Sequence, residues 1–416
     1  MKKLLKKFIS KDTINKIKSW KKYLDSLFVR GKRIEIKSND VINTTIIENK
    51  KGHIFCGYFD ISPDNPNNRN EIIAGMLPKN AICGKDNLTI ALVNYKNNTI
   101  KEVSKTKAWN WQMGSRIRWS SQPNVIIYND YIDNTYWTIY YDIKKNKIIK
   151  KIPYALYDIN KEETFGLSIN FSRLQRLRPG YGYANKPDNT KNIISPSDDG
   201  LFYIDLKKET CELLISYEKL ATMMPEAKKG ENYINHISIS PDGKNAMFFY
   251  IWKTNVKPGW KATLWVINLK SKEVKCLERK DQVSHYDWKD NENILITGVN
   301  NGKFFYRIYN INNENKTDIE NKNINGDGHP VYSRLFNGFY SDTYPNNKYK
   351  QRFFKYNNGV YTPLVDLYHD PRMNGEKRCD LHPHYFQNDE IVALDTTFRK
   401  NKRQILIVRL KDEQKK

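Results

Sequence analysis

The chain has 416 residues, which is enough to bury a large hydrophobic core. Lys and Arg outnumber Asp and Glu by 70 to 46, and the resulting formal net charge of +24 favours polyanionic partners such as acidic polysaccharide, anionic lipid or nucleic acid. A base-composition bias of the gene explains this lysine excess equally well. No apolar run reaches the roughly 18 residues of a membrane-spanning helix, and the N-terminus lacks the features of a secretory signal.

Residues 1–30 are predicted to form a helix, because their apolar side chains recur mostly at three- and four-residue spacings. Lysines fill much of the rest of this segment. A basic amphipathic helix of this kind can lie on an anionic membrane surface or bind a partner such as a glycosyltransferase. The alternative is a helix that packs on its own domain.

From residue 48 to residue 416, short apolar and aromatic runs alternate with turns rich in Asn, Asp, Gly and Lys. The clearest unit combines the turn Ser240-Pro-Asp-Gly243 with a strand at 264–269. Units of four short strands that recur every 40–60 residues or so are typical of a β-propeller. The sequence therefore predicts an all-β fold, a seven-bladed β-propeller preceded by the helix, in which the strand near His53 closes the ring. The proposed blade starts are His53, Gln112, Thr164, His236, His285, His329 and His382.

Five of the seven histidines recur at one phase of this repeat. The innermost strands of a propeller begin near its axis, so we expect these imidazoles to meet at one mouth of the central channel. Neutral imidazole is a common ligand of divalent metals, and Asp327 or Asp380 could add a carboxylate. The alternative for each histidine is a polar residue that caps a strand. The candidate site residues are His236, His285, His329, His382 and His384.

A second candidate segment, residues 168–183, contains Arg173, Arg176 and Arg178, followed by Tyr181 and Tyr183. Guanidinium groups bind carboxylates in a bidentate manner, and tyrosine supplies a stacking surface and a hydroxyl. This segment is therefore a candidate for ligand binding, and an exposed basic loop is the alternative. Further polar candidates for the same mouth are Gln112, Asp130 and Arg378, together with the segments Gly57–Asp60 and Ser341–Pro345.

Five scattered cysteines, with no Cys-x-x-Cys pair, argue against a disulfide framework and predict a reducing compartment. We therefore expect a cytoplasmic protein, with peripheral attachment to the inner membrane if the helix docks there. The sequence contains no phosphate-binding loop, dinucleotide fingerprint, nucleophile elbow or nucleic-acid motif. A specific nucleic-acid partner is not expected. The cysteines are Cys56, Cys83, Cys211, Cys276 and Cys379.

Several segments resemble known propellers. The Ser-Pro-Asp-Gly turn at 240–243 and its shorter form at 62–64 resemble TolB-like repeats. Three pieces resemble the oligogalacturonate lyase family more specifically and cover most of residues 230–410 in the family's order. They are His236-Ile-Ser-Ile-Ser-Pro-Asp242 with the later strand at 264–268, His285-Tyr-Asp-Trp288, and His382-Pro-His384. The whole chain also looks like the propellers that accompany bacterial surface-polysaccharide synthesis.

The resemblance implies a seven-bladed propeller with a divalent metal, most often manganese, with zinc or iron as alternatives. It implies that His236 is the catalytic base and that His285, His382 and His384 are metal ligands. The family has a glutamine three residues before the His-Pro-His sequence, where this chain has Cys379. The family's catalytic arginine has no secure match here, and Arg173 and Arg176 substitute for it only by residue type. His329 is an addition to the family's pattern.

These features predict a metal-dependent enzyme that acts on an acidic oligosaccharide or polysaccharide, with β-elimination at a uronate as the reaction. His236 would remove the proton, and an arginine of the 173–178 segment would neutralise the carboxylate. The alternative is a non-catalytic propeller that binds a glycan or serves as a scaffold at the membrane surface. A third interpretation is a structural propeller that binds only proteins.

Overall fold

Aromatic and β-branched runs pair with the next run in sequence to form antiparallel hairpins throughout the chain. The structure, a computed structural model, describes residues 11–30, 34–386, 390–398 and 401–411. Asn98, Asn134 and Asn301 have positive φ angles at hairpin turns, a conformation that asparagine tolerates better than most residues. The hairpins form seven sheets, so the predicted seven-bladed propeller is confirmed.

The strands are numbered in chain order, and blades 1 to 7 follow the same order. Two strands precede blade 1: β1 (Glu35–Ile36) and β2 (Val41–Ile47). Blade 1 contains β3 (Gly52–Phe55), β4 (Asp64–Asn65), β5 (Asn68–Pro78), β6 (Leu88–Asn94) and β7 (Thr99–Thr106). Blade 2 contains β8 (Arg118–Trp119), β9 (Val125–Ile132), β10 (Thr135–Asp142) and β11 (Lys147–Ile152). Blade 3 contains β12 (Asp158–Ile159), β13 (Phe165–Ser168), β14 (Gly200–Asp205) and β15 (Thr210–Ser216).

Blade 4 contains β16 (Asn232–Ile239), β17 (Asn245–Lys253), β18 (Trp260–Asn268) and β19 (Val274–Glu278). Blade 5 contains β20 (Gln282–Trp288), β21 (Asn293–Asn300), β22 (Lys303–Asn310) and β23 (Lys316–Asp318). Blade 6 contains β24 (Val331–Tyr332), β25 (Gly338–Asp342), β26 (Lys350–Asn357) and β27 (Val360–Tyr368), with β1 added at its outer edge. Blade 7 contains β28 (His384–Tyr385), β29 (Ile391–Thr396) and β30 (Gln404–Leu410).

The ring is closed by β2, which pairs with β30 as the outermost strand of blade 7. The strand near His53, expected to close the ring, is instead the innermost strand of blade 1. All four residues of β3 are buried, which suits a strand beside the channel, whereas β2 is buried only at its ends, Val41 and Ile47. The predicted start of the propeller at residue 48 falls after β1 and β2, which pair within its sheets.

The helices of the described residues precede the propeller or lie in connections between strands. α1 (Lys11–Arg30) precedes the propeller, α2 (Phe171–Leu177) interrupts blade 3, and α3 (Tyr217–Met223) follows it. Short 3₁₀ helices lie at Pro225–Lys229 and Gly375–Lys377. The side chain of Asn170 accepts a hydrogen bond from the Arg173 backbone and thereby caps α2.

α1 confirms the predicted N-terminal helix over the described residues, and residues 1–10 of that prediction lie outside them. Ser26 and Val29 are buried against the propeller, and the Tyr349 hydroxyl donates to Asp25 at 2.6 Å. The large apolar side chains on the rest of the helix are exposed. None of the helices in the described ranges is long and apolar enough to cross a bilayer.

If β2 closes the ring, a substitution at its buried end should lower the free energy of unfolding much more than one in its exposed part. Ile47→Ala should lower the free energy of unfolding by about 2–5 kcal/mol, because Ile47 is fully buried against the strands of blade 7. Ile42→Ala, on the exposed part of the same strand, should change it by less than about 0.5 kcal/mol. Urea denaturation measures both variants, and equal effects would contradict this ring closure.

Candidate metal centre and active site

Four buried histidines lie at the inner edges of four successive blades. His236 belongs to β16 and His285 to β20, whereas His329 and His382 each precede the innermost strand of the next blade by two residues. The ring centroids of His236 and His285 are 5.9 Å apart, those of His285 and His329 are 4.0 Å apart, and those of His329 and His382 are 4.4 Å apart. The repeat therefore places side chains that are distant in sequence side by side at the axis.

Local irregularities of the backbone accompany these histidines. The pairing of β16 with β17 shifts register between Asn235 and Ser238, and that of β20 with β21 shifts next to His285. His236 and His382 have φ angles of +55° and +44°, which are unfavourable for residues other than glycine. Bulges and strained residues of this kind redirect side chains and are frequent next to functional sites.

The Asp342 carboxylate at the end of β25 fixes two of the histidines. It accepts hydrogen bonds from the backbone N–H of His329 at 2.7 Å and from that of His382 at 3.1 Å. It also accepts from Nδ1 of His329 at 2.9 Å. The chain can approach this closely because residue 328 is glycine: a Cβ there would lie 2.0 Å from the Asp342 carbonyl oxygen.

Hydrogen bonds at Nδ1 determine which tautomer these histidines adopt. Nδ1 of His382 donates to the Gly57 carbonyl and Nδ1 of His384 donates to the Ile61 carbonyl, both at 2.9 Å. In the neutral rings the lone pair is then on Nε2. Nε2 of His329, His382 and His384 is buried and has no hydrogen-bond partner among the described residues. A histidine held at one nitrogen and open at the other is the usual arrangement of a metal ligand.

His53 and His369, which lie outside this cluster, differ from it in their hydrogen bonds. His53 places Nε2 3.0 Å from the Lys79 carbonyl and accepts the Arg403 backbone N–H at Nδ1. His369 places Nε2 2.7 Å from the Met373 carbonyl and Nδ1 3.3 Å from the Thr397 hydroxyl. Both rings are fully engaged in structural hydrogen bonds. Among the described histidines, the Nε2 atoms without a partner are therefore those of His329, His382 and His384.

Three groups lie close enough to share one metal ion. The ligand atoms of His329, Asp380 and His382 all lie within 4.8 Å of one another. Arg378 holds the Asp380 carboxylate through Nε at 2.9 Å and Nη2 at 2.7 Å. Burial alone would raise the pKa of Asp380, but the Arg378 guanidinium outweighs it and keeps the pKa below its usual range. Two imidazoles and a carboxylate suit manganese, zinc or iron.

Burial keeps most of these histidines neutral, the form that binds metals. It lowers the pKa of His236, His285 and His382 below the usual value, with a further contribution from neighbouring imidazoles, and it lowers that of His384 to about 4. His329 is different. Burial would lower its pKa, but the Asp342 carboxylate raises it above the usual value. His329 thus lies where negative charge favours a cation.

His285 and His384, predicted as ligands, lie next to this triad and are not part of it. Nδ1 of His285 is 3.1 Å from the Asp327 carboxylate, and its Nε2 is 3.3 Å from the Tyr344 hydroxyl. Both nitrogens of His285 thus already have polar neighbours. The assignment of His285 and His384 as metal ligands stays a prediction, and Asp380 replaces them in the closest group.

A cavity of about 300 Å³ opens beside the histidines. Arg178 is the notable cation in it: its guanidinium stacks on the rings of Tyr181 and Trp260, each with its centroid 5.3 Å away. No carboxylate in the described part of the chain forms an ion pair with Arg178, so its donors can bind an anion. Six residues of the cavity wall bear on its chemistry: Arg178, Tyr181, His236, Trp260, His285 and Tyr344.

The predicted catalytic arginines Arg173 and Arg176 do not line this cavity. Arg173 is completely buried and donates to the carbonyls of Thr190, Ile193, Ile194 and Asn232. Arg176 bridges Asp188 and Glu231. Their guanidinium groups hold the blade 3 insertion against blade 4, so both have structural roles, and Arg178 is the arginine that faces the cavity.

Some of the remaining candidate residues line the cavity, and the others lie outside it. Tyr181 and Arg378 line the cavity. The Tyr183 hydroxyl accepts from Asn129, and Asp130 accepts from the Thr106 hydroxyl at 2.9 Å, so both brace strands. Gln112 donates to the carbonyls of Glu376 and Arg378. Tyr183, Asp130 and Gln112 therefore support the site without lining it.

The segment Gly57–Asp60 crosses the centre of the propeller. The Tyr58 ring stacks on His236 at 5.3 Å between centroids and meets His382 edge-on at 4.8 Å. Arg116 binds the Asp60 carboxylate in a bidentate manner, with both distances 2.9 Å, and anchors the segment. The sequence marked this segment and Ser341–Pro345, which contains Asp342, as candidates for the mouth, but it did not predict their central position and gave no signal for Trp260. Aromatic side chains in strands are too common to single out Trp260.

No family model and no curated protein matches this sequence. Solved structures match it in fold. An oligogalacturonate lyase in complex with manganese has a TM-score of 0.61 at 10% identity, over 93% of this chain and 100% of that chain. The oligogalacturonate lyase from Vibrio parahaemolyticus has a TM-score of 0.59 at 10% identity, over 92% and 97%. TolB from Acinetobacter baumannii overlaps more loosely, with a TM-score of 0.40 at 12% identity, over 82% and 80%. The chain thus has the propeller fold of the oligogalacturonate lyases, as the sequence resemblance predicted.

The stability of variants can distinguish the structural role of Arg173 from the cavity-facing position of Arg178. Arg173→Met should lower the free energy of unfolding by about 2–4 kcal/mol, because several buried carbonyls lose a charged donor. Arg178→Met should change it by less than about 1 kcal/mol, since the guanidinium makes only ring contacts within the described chain. Urea denaturation of both variants tests this assignment. A larger loss for Arg178→Met would reverse it.

Proposed function

We propose that this protein is a metal-dependent enzyme that cleaves uronate-containing oligosaccharides by β-elimination. The observation that carries the proposal is the juxtaposition in one place of a neutral histidine, an arginine without a carboxylate partner and open imidazole nitrogens. His236 and Arg178 line the same cavity, and His285 connects it to the triad of His329, Asp380 and His382. The likeness to the lyase structures supports the fold on which this proposal rests.

Arg178 is the group that would bind the substrate carboxylate. Its planar fork matches the two oxygens of a uronate, and the cavity excludes part of the water that would otherwise screen the pair. The rings of Tyr181 and Trp260 both pack on the guanidinium and would offer apolar surface to a sugar. The anionic sugar would therefore be oriented with its carboxylate toward Arg178.

His236 is the candidate base. Nδ1 of His236 is buried and has no hydrogen-bond partner among the described residues, whereas Nε2 lies 3.4 Å from the Asn235 amide nitrogen. In the tautomer with the ring proton on Nε2, the Nδ1 lone pair would accept the proton from the carbon next to the carboxylate. The released electron pair forms the carbon–carbon double bond as the bond to the glycosidic oxygen breaks. Burial raises the pKa of Tyr344, so its hydroxyl stays protonated and is a candidate donor to the leaving oxygen.

His329, Asp380 and His382 would hold the metal ion. A bound divalent cation would withdraw electron density from the uronate carboxylate and acidify the neighbouring carbon. Arg378 would keep Asp380 ionised and oriented as a ligand. The manganese in the similar lyase structure belongs to that protein, and the donor set here also accepts zinc or iron.

A non-catalytic glycan-binding or scaffold propeller for surface-polysaccharide synthesis is the second candidate function. The position of Tyr58 favours it, because this ring stacks on the face of His236 and its buried hydroxyl has no partner among the described residues. If Tyr58 stays in place during binding, a sugar could occupy the cavity without reaching the base. Binding without turnover would then be the observed behaviour.

Turnover of defined oligogalacturonides, followed by the ultraviolet absorbance of the new conjugated double bond, tests the proposal. His236→Asn and Arg178→Gln should each reduce kcat/KM by about 100-fold or more, because they remove the base and the carboxylate clamp. Chelation of the metal should abolish turnover, and adding manganese should restore it. Arg279→Gln, at an exposed arginine outside the cavity, is the matched control and should keep wild-type activity.

Unchanged turnover in His236→Asn would contradict the elimination mechanism. Calorimetric binding of the same oligosaccharides to the metal-loaded wild type without any product would contradict the enzyme and support the non-catalytic alternative. Binding that is lost in Arg178→Gln but kept in Arg279→Gln would still place the carboxylate at Arg178.

A further inference from the structure

We infer that α1 is a docking element for an anionic membrane surface. Five large apolar side chains of α1 are exposed on one face of the helix. Ile17, Trp20, Leu24, Leu27 and Phe28 follow the spacing of one helix face, and their exposed fractions are 56%, 69%, 46%, 45% and 80%. An amphipathic helix on a globular domain ordinarily buries this face. Here the structure leaves it open to solvent, which excludes the interpretation that the helix packs its apolar face on its own domain.

The opposite face of α1 fastens the helix to blade 6. Ser26 and Val29 are buried there, and the Asp25 carboxylate accepts a hydrogen bond from the Tyr349 hydroxyl. Tyr349 lies in the loop between β25 and β26. Because these contacts hold the helix, the exposed apolar face cannot turn toward the propeller unless they are lost. The apolar face is thus presented outward by the fold.

Lysines border the exposed apolar face. Lys16 and Lys21 lie at its two edges at 3.6 residues per turn, and Lys18 is also exposed. None of these three forms an ion pair within the described residues. The whole chain carries a formal net charge of +24. Apolar side chains flanked by unpaired cations complement a surface that offers acyl chains below anionic headgroups.

A lipid surface fits this face better than a protein groove does. The exposed side chains of the helix include the aromatic residues Trp20, Tyr23 and Phe28, and aromatic side chains favour the interface between headgroups and acyl chains. The helix is not apolar enough to cross a bilayer, so it would lie in the plane of the surface. A second copy of the chain, with the same lysines, would bring like charges together.

The contacts of α1 indicate at which end of the propeller it lies relative to the cavity. The loop between β25 and β26 carries Tyr349, which contacts α1, and Tyr344, which lines the cavity. In an antiparallel blade this loop lies at the same end as the link to the next blade, and that link carries Arg378. A protein docked through α1 would therefore hold its cavity on the membrane-facing side. The docking inference stands whether or not the cavity is catalytic.

Co-sedimentation of the full chain with vesicles tests the inference. The wild type should bind phosphatidylcholine vesicles that contain phosphatidylglycerol and should bind pure phosphatidylcholine at least ten-fold more weakly. Trp20→Ser/Phe28→Ser should reduce the partition coefficient at least ten-fold. The matched control is Val256→Ser/Val360→Ser, at apolar residues of the propeller that are 75% and 62% exposed, and it should bind like the wild type.

Lys16→Ser/Lys21→Ser should lose most of the preference for phosphatidylglycerol, and added salt should weaken wild-type binding in the same way. Lys207→Ser/Lys208→Ser, at exposed lysines of blade 3, should keep the preference. Vesicle binding that is equal in the Trp20/Phe28 variant and the wild type would overturn the inference. So would an absence of vesicle binding together with a dimer that this variant disrupts, because the face would then join two copies. Circular dichroism verifies that each variant is folded.

Discussion

The candidate site depends on the hydrogen bonds that the Asp342 carboxylate accepts. It lies at the end of β25 in blade 6 and binds the backbone of His329 and of His382, the second of which leads into blade 7. It also holds Nδ1 of His329 and thereby leaves Nε2 of that ring open. Loss of this carboxylate would leave buried donors unpaired and free the rings to turn. The same contact thus joins two blades and orients the candidate ligands.

The sequence could predict that histidines meet near the channel axis, because each blade of a propeller repeats the same geometry. His236, His285, His329 and His382 occupy equivalent places in four successive blades, so their recurrence in the sequence translates directly into proximity. Ring closure was not predictable in this way. β2 is a short strand with an exposed centre, and its place beside β30 follows from the closure of the ring rather than from its own residues.

The parts of the site that the sequence did not predict depend on orientation and on contacts between distant residues. Arg173 and Arg178 lie five residues apart, yet one is engaged by backbone carbonyls and the other enters the cavity. Their residue type and neighbours in sequence do not distinguish them. Asp342 and Tyr58 owe their roles to Gly328 and Gly57, where close approach and a φ angle of +113°, respectively, let the chain reach the axis.

We propose that His329, Asp380 and His382 bind one divalent metal ion, in a site that Asp342 positions. The decisive measurement is anomalous X-ray scattering from crystals of the protein grown with manganese, with Asp342→Asn as the comparison. We expect one strong peak within bonding distance of Nε2 of His329 and His382, and a weaker peak in the variant, whose affinity should be about 10- to 100-fold lower. A wild-type crystal without a peak at these atoms, or with its metal bound elsewhere, would contradict this proposal.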